Sequence, residues 1–297
     1  MKKRMVMTLA LCFSMIGCSN SANVNEKQSS VNESGSFKTA EAKKEKKISY
    51  KDANILSFEL VSRDDDYSDD TLKTVFKITN NSKEVISYCS LDFAYYDGEG
   101  NQISTDGRFN DFSIDSGKSV IMNSYGDTEG VDKSNIKDVK VTEYEYYKGN
   151  KYYNVNLQTE KVNDGSHTVN NDGDFDKCNI LSFELSDEGN SYGSKKVAVN
   201  VTNNGSIPVT YFSYDMAYLD QDGTKLDQDG RFKDEVLEPG KKMLSQSYMS
   251  EEEYIDNISS FGVYQYEYKL SEKDANGFNK YEIDLQTKEV KGSFVED

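Results

Sequence analysis

Asn54-Ile55-Leu56-Ser57-Phe58-Glu59-Leu60 recurs intact as Asn179-Ile180-Leu181-Ser182-Phe183-Glu184-Leu185. Leu56, Phe58 and Leu60 alternate with polar residues, so an extended backbone puts all three on one face, the pattern of a half-buried antiparallel strand. The same period of two runs through Thr74, Phe76 and Ile78, matched by Val197, Val199 and Val201. Cys89, Leu91, Phe93 and Tyr95 share the next inward face, answered by Phe212, Tyr214, Met216 and Tyr218. Tyr153, Val155 and Leu157 close the set, answered by Tyr281, Ile283 and Leu285. Between strands, Asp97-Gly98-Glu99-Gly100 and Asp220-Gln221-Asp222-Gly223 read as hairpin turns in which glycine supplies a positive φ.

The duplication is not confined to one strand. Thr79-Asn80-Asn81 recurs as Thr202-Asn203-Asn204, and Asp106-Gly107-Arg108-Phe109 as Asp229-Gly230-Arg231-Phe232. Ser116-Gly117-Lys118 answers to Pro239-Gly240-Lys241, and Ser124-Tyr125 to Ser247-Tyr248. Tyr144-Glu145-Tyr146 answers to Tyr266-Glu267-Tyr268, and Leu157-Gln158-Thr159 to Leu285-Gln286-Thr287. Offsets of 122–128 leave room only for small insertions between copies. Units of this size are domains, not solenoid repeats. Short alternating strands with frequent turns predict an all-β chain of two tandem immunoglobulin-like antiparallel β-sandwiches, residues 51–162 and 177–297. Residues 163–176, rich in Asn, Asp and Gly, are expected to link them. One short helix is expected in the second copy, where Ser250 and Glu253 form a capping-box pattern before Tyr254 and Ile258.

Met1-Lys2-Lys3-Arg4 precedes an apolar run from Met5 to Ile16 and then Gly17-Cys18, after which the chain turns polar. A charged start, a short apolar core and a small residue at the cut are the features of an export signal, here residues 1–17. The run is shorter than the roughly 20 residues of a spanning helix. Met15-Ile16-Gly17-Cys18 resembles the bacterial lipobox, which implies a lipid on the Cys18 thiol and a place at the extracytoplasmic face of a cell membrane. Two or more acyl chains anchor stably, at ~0.8 kcal/mol per buried CH₂. Residues 18–50 are mostly Ser, Asn, Lys and Glu; too little apolar surface is on offer to offset chain entropy, so a disordered tether is expected.

The chain of 297 residues has a net charge of −17, and residues 51–297 alone carry 48 acidic against 26 basic side chains. Such a surface repels phosphate, so nucleic acid is excluded as a partner class. Of four cysteines, Cys12 leaves with the signal and Cys18 takes the lipid. Cys89 and Cys178 fall in different copies, and a disulfide requires Cα atoms within about 7 Å, so no bridge is expected.

The run from Phe76 to Asp97, with Asn80-Asn81 ending one strand and Phe93-Ala94-Tyr95-Tyr96-Asp97 ending the next, resembles the FxLYD domain of bacterial envelope proteins. The second copy carries Met216-Ala217-Tyr218-Leu219-Asp220 at that place, with the same turn glycines and Gly-Lys pairs. The resemblance covers the middle of each copy. It implies an immunoglobulin-like fold in an exported protein and brings no catalytic residues with it.

The sharpest internal motif is Asp-Gly-Arg-Phe. Arg108 and Arg231 hold the same repeat position in a chain with four Arg against 31 Lys, and Arg is favoured over Lys where a planar, two-oxygen partner matters. Two readings stand: a ligand carboxylate or phosphate, or an internal ion pair with a turn Asp or Glu that pins the hairpin. Aspartates cluster at 64–66, 172–176 and 220–229, but the EF-hand spacing fails and solvated loops are expected, with weak calcium binding left open. The 21 tyrosines fall mostly on core or cross-strand positions, which favours packing over sugar stacking. His167, the single histidine, lies in the linker. No catalytic set and no cofactor or metal site is expected. The functional expectation is a non-enzymatic envelope lipoprotein whose domains contact protein or cell wall. The alternative is a glycan- or metal-binding accessory to a transporter or hydrolase.

Overall fold

The computed structural model describes residues 47–297 except 66, 69, 70, 111, 112, 129–131, 167, 170, 192, 250, 251 and 297. The expected signal, Cys18 and nearly all of the tether lie outside the described residues, as do His167 and Ser250.

The first repeat opens with a single helical turn, α1 (Tyr50–Ala53), and continues as β1 (Leu56–Asp64), β2 (Thr71–Asn80), β3 (Tyr88–Tyr96), β4 (Gln102–Asn110), β5 (Ser119–Asp127), β6 (Asp138–Lys148), β7 (Lys151–Asn156) and β8 (Lys161–Ser166). The second repeats the order as α2 (Phe175–Cys178), β9 (Leu181–Ser191), β10 (Ser194–Asn203), β11 (Val209–Leu219), β12 (Lys225–Lys233), β13 (Lys242–Met249), β14 (Ser260–Leu270), β15 (Lys280–Asp284) and β16 (Val290–Ser293). Each repeat packs a three-stranded layer, β1-β2-β5 or β9-β10-β13, against a five-stranded one, β4-β3-β6-β7-β8 or β12-β11-β14-β15-β16. The chain is thus all-β, two tandem antiparallel sandwiches of immunoglobulin-like build.

The inward faces follow the period of two. Cys89, Phe93 and Tyr95 are fully buried, as are Phe212, Met216 and Tyr218. Leu60, expected inward, is 41% exposed beside a bulge between Leu60 and Ser62 on an outer strand. Two cores form, one around Phe76 and Phe93 and one around Val199 and Phe212.

The repeated polar motifs are pins. Asn80 is buried; its amide donates to the carbonyls of Glu84 (2.8 Å) and Ile114 (2.9 Å) and its oxygen accepts Ser82 N–H at 2.9 Å. Asn203 does the same with Ile207, Leu237 and Gly205. A buried amide fully satisfied in this way holds two loops to one strand end. In Tyr-Glu-Tyr, the first hydroxyl donates to Asn54 or Asn179 (both 2.8 Å). The second donates to the carbonyl of Ala53 (3.0 Å) or Cys178 (2.9 Å), docking each opening helix on its core. The expected hairpin turns have Gly100 at φ 83° and Gly223 at φ 76°. The expected helix of the second copy is 3-10, Glu252–Asn257.

The connection between repeats is shorter than composition predicts. Strand β8 takes in residues 163–166, pairing Asn154 with Asn163 and Tyr153 with Asp164. An outer strand has one neighbour to satisfy, so Asn and Gly are tolerated there. Beyond it, Asn171 bridges to Val290 in β16, and α2 begins at Phe175.

The repeats also meet. Val120 of β5 and Lys225 of β12 form a parallel bridge that joins β1-β2-β5 to the five strands of the second repeat in one eight-stranded sheet. Lys47–Asp297 is one compact unit.

Candidate functional site

The Asp-Gly-Arg-Phe motifs lie on β4 and β12 beside β3 and β11. Gly107 sits opposite Asp92 and Gly230 opposite Asp215, and a Cβ at either glycine would come within 2.8 Å of that carboxylate. The glycine therefore makes room for an outward Asp on the neighbouring strand. Arg231 pairs through Nε with Asp229 of its own motif at 2.6 Å and lies 5.3 Å from the Tyr248 ring. Asp229 also accepts Ser247 Oγ (2.5 Å) and Tyr248 N–H (2.9 Å). The partner is a strand residue two positions back, not a turn carboxylate. Arg108 differs: its Nε donates to the Asn123 carbonyl at 3.2 Å, and it lies 5.8 Å from Tyr125, while Ser124 donates to Asp106. Both phenylalanines point to solvent, Phe109 at 61% and Phe232 at 69% exposure.

The junction of the repeats buries Lys225, which sits 5.9 Å from the Tyr264 ring. Burial holds its ammonium down at about 7, against the ordinary 10.5. Burial also pushes the Cys89 thiol up to about 12. Cys89 and Cys178 are separate free thiols in separate cores.

A cleft of about 380 Å³ opens where one end of the first repeat rests on the outer sheet face of the second. Ser87, Tyr88 and Tyr147 come from the first repeat; Asp215, Gln265, Glu267, Glu282, Asp284 and Glu289 come from the second. The two tyrosine rings stack at 4.5 Å. Lys280 meets Glu267 at 2.8 Å, and Lys291 meets Glu282 at 2.9 Å. Gln265 donates to Asp215 at 2.8 Å, and Ser113 donates across the junction to Asp284 at 3.1 Å. Burial, then the neighbouring Asp284, raises the Glu289 carboxyl above its usual range. Carboxylates outnumber ammonium groups along this wall, so the field in the cleft favours a cation. Sequence reading missed the site because its residues lie on outward strand positions that look like ordinary solvated ones. Only the docking of the first repeat makes them a wall.

Arg108 and Arg231 are not part of this cleft. Of the aspartate clusters, Asp220 accepts the N–H groups of Asp222 and Thr224 in its own turn, and Asp174 caps α2. Among the described residues, no group of three or more His, Cys, Asp or Glu is placed to hold a metal ion.

No protein-family model matches the chain, and no curated protein is similar enough to count as a relative. Among solved structures it is similar to an exo-chitosanase from Amycolatopsis orientalis, at 12% identity and TM-score 0.21, over 71% of this chain and 25% of that one. It is also similar to a red sea bream transglutaminase, at 8% identity and TM-score 0.19, over 73% of this chain and 28% of that one. The chain spans about a quarter of the length of either. Overlap at that level carries no activity from one protein to the other.

Proposed function

We propose that this chain is a non-enzymatic cell-envelope lipoprotein, lipid-anchored at Cys18 on the extracytoplasmic face, that holds a cationic segment of a protein or cell-wall partner between its two FxLYD-like sandwiches. The observation that carries the binding reading is the cleft between repeats. Five carboxylates from one repeat face a stacked tyrosine pair from the other. Aromatic rings and carboxylates together suit an amine or guanidinium, the rings through their negative faces and the carboxylates through charge. Support for the address comes from Met15-Ile16-Gly17-Cys18, and support for the family from Phe93-Ala94-Tyr95-Tyr96-Asp97.

Calorimetric titration of the full chain with a lysine-rich peptide tests the binding half. Saturable binding that weakens with salt is expected, and Asp215→Asn with Glu282→Gln should weaken it further. Absence of binding, or binding indifferent to both substitutions, would overturn it. Fatty-acid labelling tests the anchor: Cys18→Ala should lose the label, and a label retained would remove Cys18 as the attachment point.

A further inference from the structure

The groove beside the Arg-Phe pair exists twice, and one copy is filled. In the first repeat it is lined by Arg108, Phe109, Ile121 and Asn123, and residues 225–228 of β12 form the opposite wall, leaving about 210 Å³. The same repeat positions in the second repeat, Arg231, Phe232, Leu244 and Gln246, line a groove of about 400 Å³ with no such wall. Exposure follows this difference. Ile121 is half-buried against the second core, whereas its counterpart Leu244 is 53% exposed.

The complementary strand is also present twice. β12 is joined to β5, while β4, which holds its place in the first repeat, is an outer strand, and so is β13, the counterpart of β5. Lys225 and Leu226 are buried in the junction; Gln102 and Ile103, at the same repeat positions, are exposed and half-buried. One chain therefore carries a groove and strand in use and an unused pair of the same kind.

We propose that a second copy of this chain docks head to tail, laying residues 102–105 of its β4 along the open groove of Arg231, Phe232 and Leu244, as residues 225–228 lie along the groove of the first repeat. The side chains fit that occupant. Ile103, half-buried against the core of its own repeat as Leu226 is buried in the second, stands where Leu226 does, and Leu244 where Ile121 does, so apolar meets apolar in both settings. Lys118 reaches across the internal junction to the Asp222 carbonyl at 2.7 Å; Lys241 holds its place in the second repeat and is exposed, as is Glu99 in the place of Asp222. The end of the first repeat that rests on the acidic face presents Tyr147. The matching end of the second presents Lys269, and the face it would meet carries Asp92, Glu143 and Glu145. That pairing adds opposite charges to the copied geometry. The two surfaces differ, so the contact is heterologous and extends to rings or filaments instead of closing as a symmetric dimer. The inference is independent of what the cleft binds.

Sedimentation velocity of the full chain, purified in a mild detergent to disperse any association through its apolar N-terminus, tests it. Species larger than the monomer should accumulate with concentration. Leu244→Asp removes the groove and Ile103→Asp removes the strand, so each alone should stay monomeric. Circular dichroism and thermal unfolding verify that both are folded, and Gln102→Asp, at an exposed position, gives a second test of the strand side. Mixing Leu244→Asp with Ile103→Asp pairs one intact strand with one intact groove and should give a dimer that does not grow. A wild-type chain monomeric at every concentration, a Leu244→Asp chain that associates like wild type, or a mixture that stays monomeric would each overturn the proposal.

Discussion

Lys225 of the second repeat pairs with Val120 of the first, and only 4% of its surface is left exposed. Burial lowers its affinity for a proton and Asp215 of β11 acts against that, Tyr264 lies beside it, and Asp115 and Lys118 line the same recess. The folded chain releases this proton near 7 and the unfolded chain near 10.5, so unfolding takes up a proton between those values. Lys225 by itself therefore makes stability rise with pH across that window, and the cost of its buried charge is felt most at and below 7. Urea midpoints should climb from neutral pH to about 8; above that the Cys89 and Cys178 thiols, which ionise at about 8.5 once unfolded but stay protonated in the cores, reverse the trend. Lys225→Met should flatten the climb, because it removes the group that titrates in that window. A Met variant with the same slope would assign the titration elsewhere.

The two arginines should behave differently. Asp229 gathers Ser247, Tyr248 and Arg231, so Asp229→Asn is expected to cost about 1–3 kcal/mol in urea unfolding. Arg231 is about one-third exposed, which limits Arg231→Ala to about 1 kcal/mol. Arg108, whose Nε donates to a backbone carbonyl among the described residues, should lose less than that in Arg108→Ala. Equal losses for Arg108→Ala and Arg231→Ala would contradict this ordering.

Asn203→Leu takes the donor from the Ile207 carbonyl and the acceptor from Gly205 N–H, while the Leu237 carbonyl keeps Val209 N–H. Each orphaned group costs about 1–3 kcal/mol, so the variant should lose several kcal/mol in the same assay. Asn204→Ala, next in sequence, removes one exposed bond to Ser182 and should change stability by less than about 1 kcal/mol.

Both thiols are buried and held in the protonated form, Cys89 at about 12. The thiolate is the species that alkylates. Neither Cys89 nor Cys178 should therefore react with iodoacetamide in native buffer, and both should react in urea. Peptide mapping by mass spectrometry reads the outcome directly; native labelling of Cys89 would place it outside the core.

The strands and their inward faces were legible because burial on one side of a sheet writes itself into every second residue, as in Cys89-x-Leu91-x-Phe93-x-Tyr95. The turns were legible because positive φ selects glycine at Gly100 and Gly223. Lys225 was not. In sequence it follows an acidic turn and looks solvated, and only the arrival of β5 buries it. The cleft stayed hidden for the same reason, since Glu267 and Glu282 become a wall only when Tyr88 and Tyr147 face them. Residues 163–166 of strand β8 read as linker because Asn163 and Gly165 carry loop chemistry, and their pairing with β7 is a property of the neighbour, not of their own composition.

The single bridge between Val120 and Lys225 also sets how the molecule yields to tension. Each sandwich is knit by ladders many residues long, while among the described residues the junction has one ladder pair, side-chain bonds such as Ser113 to Asp284 and Lys118 to Asp222, and a short connector. A pull along the chain is expected to open that junction before either sandwich, since fewer backbone bonds hold it. The two sandwiches then separate like links on a short strap, and each holds until its own ladders shear. Such a chain takes up slack before it breaks, which is the behaviour of a shock absorber.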